Sequence, residues 1–280
     1  MNREIRTILL VDGSASLLHY HGMLLKRLEY RVETARSAED ALRRMQDALP
    51  SIVVAEAVLP DMSGLTLLKR MKNSPLLKAV PVILLASDSD PSMHDTCMRM
   101  GCAAYLFKPL EPDTLYRTIQ SVSESIPRGH IRLSTSLKVV VGDGTVTGGA
   151  ARTEYATAIS EGGLYVRTLY PQPQNALTPV RLFLPMREIA AKALVLYSFT
   201  SGGGPFQEPG MGMKFVEITD SDREEIRRFI KDQLVGGLTS PQNGGGQRTP
   251  DGAEHKDHSN HTRHDSREVS GDPKTALRPS

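Results

Sequence analysis

Short apolar runs alternate with amphipathic stretches through the first 125 residues. Residues 7–11 are continuously apolar, the pattern of a parallel strand buried on both faces. Asp12 and Gly13 break the run. Ser14 is placed to cap a helix that carries Leu17, Leu18, Met23, Leu24, Leu25 and Leu28 on roughly one side. The same texture repeats. Strands are predicted over 31–35, 51–55, 81–85 and 104–107, and helices over 38–49, 65–71, 93–100 and 112–122. Pro50 stops the second helix and Gly101 the fourth. Alternation of this kind predicts a doubly wound α/β domain over residues 5–125, with its site at the C-terminal ends of the strands.

The texture then changes. Strand-like runs at 137–141, 154–159, 164–167, 179–184, 192–197 and 210–217 are separated by turn signals at 142–144, 160–163 and 202–205. Ser221 and Glu224 have the spacing of a capping box, opening a helix with Ile226, Phe229, Ile230 and Leu234 on one face. These elements predict a small antiparallel β-barrel closed by a C-terminal helix over residues 127–236. Residues 237–280 are polar and charged with almost no large apolar side chains, the composition of a disordered tail. His255, His258, His261 and His264 recur there at every third position. A weak metal site needs a packed frame to orient such rings, so a solvated tail is the expectation.

Composition narrows the functions. A chain of 280 residues suits two domains and a tail, and a net charge of +2 gives no strong field toward nucleic acid or anionic membrane. Cys97 and Cys102 have neither disulfide nor metal spacing, which points to a reducing compartment. There is no leader-like start and no apolar run of about 20 residues. A soluble cytoplasmic protein without membrane insertion is expected. No nucleophile–base set or intact metal cluster stands out, so the expectation is a non-enzyme without cofactors.

The residues at the predicted strand ends carry a resemblance. Asp12 after the first strand, the turn from Leu59 to Gly64 after the third and Lys108-Pro109 after the fifth resemble the receiver domain of two-component response regulators. That resemblance implies a magnesium-binding carboxylate pair, a phosphorylated aspartate four residues before the proline of the turn, and a relay from a hydroxyl on the fourth strand to an aromatic on the fifth. In this chain Asp12 is followed by Gly13, Glu56 stands at the phosphoacceptor position, and Ala86 stands at the hydroxyl position with Ser87 one residue late. Tyr105 and Lys108 are retained. A site short of an anionic oxygen ligand is expected not to hold magnesium. Glu56, one methylene longer than aspartate, projects toward Lys108. The pair then either mimics the phosphorylated state or is a degenerate site in which Glu56 neutralises a buried lysine. The methyl of Ala86 favours the second, leaving the domain as a surface for a protein partner or a homodimer.

The second domain resembles the PilZ family of cyclic di-GMP receptors. The matching residues are Arg128-Gly-His-Ile-Arg132, Ala158-Ile-Ser-Glu-Gly-Gly163 and Gly210-Met-Gly-Met-Lys-Phe215. Alone, the arginines read first as solvated linker residues, and Ser160 with Gly163 first as an ordinary turn. The resemblance implies that Arg128 and Arg132 fork onto phosphate or onto guanine O6 and N7, that Ser160 adds a hydrogen bond, and that Gly163 permits close backbone approach. The family's Asp/Asn, which accepts from guanine N1–H and N2–H, is replaced by Ala158. Donors left unpaired there cost about 1–3 kcal/mol, roughly ten- to hundred-fold in affinity, unless water takes the acceptor's place. Three functions fit: an effector that binds cyclic di-GMP beside an unphosphorylated receiver, a ligand-independent adaptor, or a phosphorylation-driven regulator.

Overall fold

The computed structural model describes residues 6–87, 91–125, 127–146, 148–200 and 208–238. The predicted loop at 202–205 and the four tail histidines lie outside these residues.

Five parallel strands, β1 (Thr7–Val11), β2 (Arg31–Ala35), β3 (Ile52–Glu56), β4 (Val82–Ala86) and β5 (Ala104–Phe107), form a sheet in the order β2-β1-β3-β4-β5. They alternate with α1 (Ala15–Arg27), α2 (Ala38–Asp47), α3 (Gly64–Asn73), α4 (Pro91–Arg99) and α5 (Pro112–Ser123). Every residue of β3 and β4 is buried, which is why those segments read as unbroken apolar runs. Ser14, Ser37 and Ser63 cap α1, α2 and α3 by accepting from the backbone N–H of Leu17, Asp40 and Thr66. The strand order reverses beside β1, which sets the C-terminal ends of β1 and β3 around one crevice.

The second half is a closed barrel of six strands in the order β10-β11-β8-β7-β6-β9. They are β6 (Leu133–Val141), β7 (Arg152–Ser160), β8 (Gly163–Arg167), β9 (Leu177–Phe183), β10 (Glu188–Phe199) and β11 (Gly210–Glu217). Helix α6 (Asp220–Val235) follows and buries Ile226, Ile230 and Leu234. Its cap differs from expectation. Thr219 Oγ1 accepts from the Asp222 amide at 3.1 Å and donates to the Asp222 carboxylate at 2.7 Å. The chain therefore uses a Thr-x-x-Asp box two residues upstream of Ser221 and Glu224. Ser221 is already in the first turn and accepts from Arg187 at 3.3 Å.

Simple alternation over 154–159 also fails. The pairing of β6 with β7 runs Leu137 with Ala156, then shifts so that Ser134 faces Ala158 and Leu133 faces Ile159. Ala156, Ile159 and Leu133 join the main apolar cluster, and Ala158, only 7% exposed, is buried outside it. The irregularity sets Ala158 opposite Ser134 of β6 and Tyr165 of β8.

The two modules form a single compact unit with one continuous apolar cluster running from Leu25, Leu115 and Ile119 through Ile131 and Leu133 to Leu234. Polar contacts frame that joint. Arg27 Nη1 donates to the carbonyls of Leu234 and Gly236 at 2.8 Å and of Gln233 at 3.2 Å. Lys231 Nζ meets Glu111 at 2.7 Å. Buried Gln120 donates to Tyr30 Oη at 2.7 Å and accepts from the Arg128 amide at 3.2 Å.

Candidate functional sites

At the ends of β1 and β3, Asp12, Glu56 and Lys108 converge. Lys108 Nζ sits tightly against Glu56 Oε2 and lies 3.4 Å from Asp12 Oδ2. Asp12 Oδ1 accepts from the Ser14 amide at 2.8 Å. The lysine side chain is only 5% exposed, so its charge depends on these carboxylates rather than on water. Burial pushes the Glu56 carboxyl above its usual range, against the pull of the Lys108 ammonium. His21 of α1 lies in the same field. Burial first, then the Lys108 charge, lowers its pKa to about 4, with Asp12 working the other way. His21 Nδ1 is buried with no hydrogen-bond partner among the described residues.

Gly13 has no room for a side chain where it stands. A Cβ there would lie 2.8 Å from Pro60 Cγ, a ring carbon in the turn after β3. The Ala86 carbonyl accepts from the Lys108 amide at 2.8 Å. Tyr105 is buried on β5, edge-on to Phe107 at 5.4 Å and to His94 at 5.8 Å. Asp12, Glu56 and Lys108 are thus brought into one cluster, with Gly13 and Ala86 at its rim.

On the barrel, the segment carrying Arg128 and Arg132 lies against the turn between β7 and β8. His130, between the arginines, reaches Glu161 Oε2 with Nδ1 at 3.4 Å. Its ring lies 3.4 Å from where a Cβ on Gly162 would stand. Glu161 is clamped in turn. Arg227 of α6 holds its carboxylate and keeps it below the usual range, and Arg223 donates to its carbonyl at 2.8 Å. Arg132 is exposed and Arg128 half-buried. Ser160 Oγ donates to the Gly163 carbonyl at 3.1 Å. The close approach at Gly163 is to its own fold: a Cβ there would collide with the Met213 carbonyl of β11. Below this turn a cavity of about 300 Å³ lies at the joint, lined by Glu111, His130, Glu161, Arg227, Ile230 and Lys231 among others.

Residues 8–120 match the response regulator receiver domain, and residues 125–232 match the PilZ domain. The two-component response regulator ORR3 of Oryza sativa subsp. indica is 33% identical over 116 residues, covering 41% of this chain and 88% of the rice protein. The chain belongs to the response regulators, as a receiver domain followed by a PilZ domain. A probable cyclic di-GMP phosphodiesterase of Vibrio cholerae is 32% identical over 104 residues, or 37% of this chain and 23% of that protein. Among solved structures, the chemotaxis response regulator CheY4 of Vibrio cholerae is 28% identical with a TM-score of 0.41, covering 42% of this chain and 99% of that one.

In this response regulator, several residues around the two sites escape a reading of motifs. Glu161 sits inside the turn that the PilZ pattern marks, yet its partner Arg227 lies 66 positions away on α6. Pro60 is part of the receiver turn, but its packing on Gly13 has no sequence signature. Glu29, at the end of α1 in the receiver, accepts from Ser134 Oγ of the PilZ domain at 2.5 Å. No local pattern announces a contact between residues 105 positions apart.

Proposed function

We propose that this response regulator is a non-enzymatic cytoplasmic effector whose PilZ domain binds cyclic di-GMP and whose receiver is not phosphorylated. One observation carries the ligand reading: His130 ties the arginine segment to the turn bearing Ser160, so both halves of the ligand motif share one surface. Two arginines on a segment tied to the turn that follows Ser160 suit a ligand with two phosphates and two guanines. The receiver reading rests on occupancy. An ammonium already sits between Asp12 and Glu56, and Pro60 stands where a second carboxylate would grow from Gly13. These residues do not fit a magnesium ion, which takes octahedral oxygen ligands and neutralises an incoming phosphoryl group. No helix among the described residues is long and apolar enough to cross a membrane.

Calorimetric titration of the full chain with cyclic di-GMP tests the first half. Saturating heat that vanishes in Arg132→Ala is expected, and no heat at tens of micromolar protein overturns it. Acetyl phosphate tests the second half. The chain is expected to stay unlabelled, and covalent phosphate on the receiver overturns that reading. The methyl of Ala158 favours one alternative, a ligand-independent adaptor, for which the titration would be silent.

A further inference from the structure

The base-reading acceptor that the PilZ domain lacks at position 158 has a carboxylate beside it from the other domain. Ser134 faces Ala158 directly across the β6–β7 ladder. Opposed residues of an antiparallel pair have Cα atoms about 5 Å apart and share a face. Leu133 and Ile159 belong to the main apolar cluster, whereas Ser134 is exposed and Ala158 is buried outside that cluster. Arg132 immediately precedes β6 and Ser160 ends β7. Into this group reaches Glu29 of the receiver, whose Oε1 lies 2.5 Å from Ser134 Oγ.

The backbone at Glu29 supplies an independent observation. The α1 helix ends in two reverse hydrogen bonds, Glu29 N–H to the Lys26 carbonyl at 3.0 Å and Tyr30 N–H to the Leu25 carbonyl at 3.1 Å. In that ending the residue after the cap takes a left-handed conformation and is usually glycine. Here it is a glutamate at φ 67°. A side chain at this strained position is disfavoured by local physics. It is aimed at the PilZ strand next to the missing acceptor.

We infer that Glu29 is the guanine-specificity residue of the cyclic di-GMP site, supplied by the receiver in place of the carboxylate or amide that Ala158 lacks. The inference rests on the proposed ligand reading. A carboxylate has two oxygens and about four lone-pair positions. One oxygen takes the Ser134 hydroxyl, and the group retains capacity for the parallel N1–H and N2–H donors of a guanine edge. Arg132 holds phosphate or the opposite edge of the same base. Recognition then requires both domains, because the acceptor is correctly placed only while α1 is docked, through Arg27, on the C-terminal end of α6.

The test uses the full chain and two probes, cyclic di-GMP and its di-inosine analogue, which lacks the guanine 2-amino group. Wild type is expected to prefer cyclic di-GMP. Glu29→Ala, which removes the acceptor, is expected to weaken cyclic di-GMP about ten- to hundred-fold and to bind the two probes alike. Adding Ala158→Asp to Glu29→Ala is expected to restore both affinity and preference; should that variant fold poorly by circular dichroism, the two-probe comparison on Glu29→Ala decides alone. If Glu29→Ala keeps wild-type affinity and preference while Arg132→Ala loses binding, this inference falls and the ligand reading stands. If wild type binds neither probe, the ligand reading falls and takes this inference with it.

Discussion

In the proposed reading the receiver pocket and the PilZ face each lack a motif carboxylate, and the structure around the two positions differs. In the receiver, Pro60 packs on Gly13 and the buried Lys108 is paired with Glu56 and Asp12. On the PilZ domain Ala158 is also small and buried, yet Arg132, just before β6, is exposed, and a carboxylate from another element reaches Ser134 across from Ala158. A missing residue in a motif therefore has two structural outcomes. The site closes over the loss, or a residue distant in sequence stands next to it.

The sharpest way to break this contrast is to remove one carboxylate from the receiver. Glu56→Ala leaves Lys108 buried with Asp12 as its remaining carboxylate at 3.4 Å. A buried charge stripped of its main partner costs about 3 kcal/mol, near the low end of the usual range because Asp12 remains. Thermal or urea unfolding is expected to show that loss, while titration with cyclic di-GMP is expected to be unchanged. Glu29→Ala should do the reverse, leaving stability intact and weakening the ligand. A Glu56→Ala protein with wild-type stability would mean that the receiver cluster is not the closed charge set described above.

Sequence reading reached the elements because their signals are local. β5 and β11 begin and end where alternation and turn residues place them. α2 stops at Asp47 rather than reaching residue 49, because Pro50 disfavours the helical conformation just before it and Ala48 is already extended at ψ 125°. The cap of α6 was misplaced because two overlapping boxes, Thr219 with Asp222 and Ser221 with Glu224, have equal spacing. The first is used, and Thr219 carries the extended backbone that a cap requires. The pairing of Ala158 with Ser134 depends on a bulge against β6, which strand periodicity does not encode. Glu29 and Arg227 act through contacts across the whole fold, so their roles were invisible until the domains were docked.

A second test sharpens the contrast through pH. His21 is held neutral beside Lys108, with its pKa at about 4 against an ordinary 6.5. Because the folded value is the lower one, the unfolded chain binds the extra proton first as pH falls. The stability is complete above 6.5 and is lost progressively as pH drops through about 4. Between pH 7 and pH 5 the loss should be about 2 kcal/mol. Glu56, raised by burial, works in the opposite direction at lower pH, since its folded form takes a proton more readily. The measurement is therefore the difference between wild type and His21→Leu in urea midpoints at pH 7 and pH 5. The variant is expected to have the flatter profile, and parallel profiles would remove His21 from the closed receiver cluster.

The smallest effect joins the two regions. Arg27 touches no ligand in the proposed site, but it lies two positions before Glu29 on the last turn of α1 and donates to three carbonyls at the end of α6. A guanidinium on otherwise unsatisfied helix-end carbonyls is worth about 1 kcal/mol. Arg27→Ala is expected to lower stability by that amount and to weaken cyclic di-GMP about three- to five-fold, by loosening the docking that places Glu29. Stability alone would fall for any lost contact, so the deciding measurement is the double variant. If Arg27 acts by positioning Glu29, Arg27→Ala should cost no further affinity once Glu29 is already Ala, although it should still cost stability. Additive losses of affinity in Arg27→Ala/Glu29→Ala would mean that the helix clamp and the carboxylate reach the ligand site by separate routes.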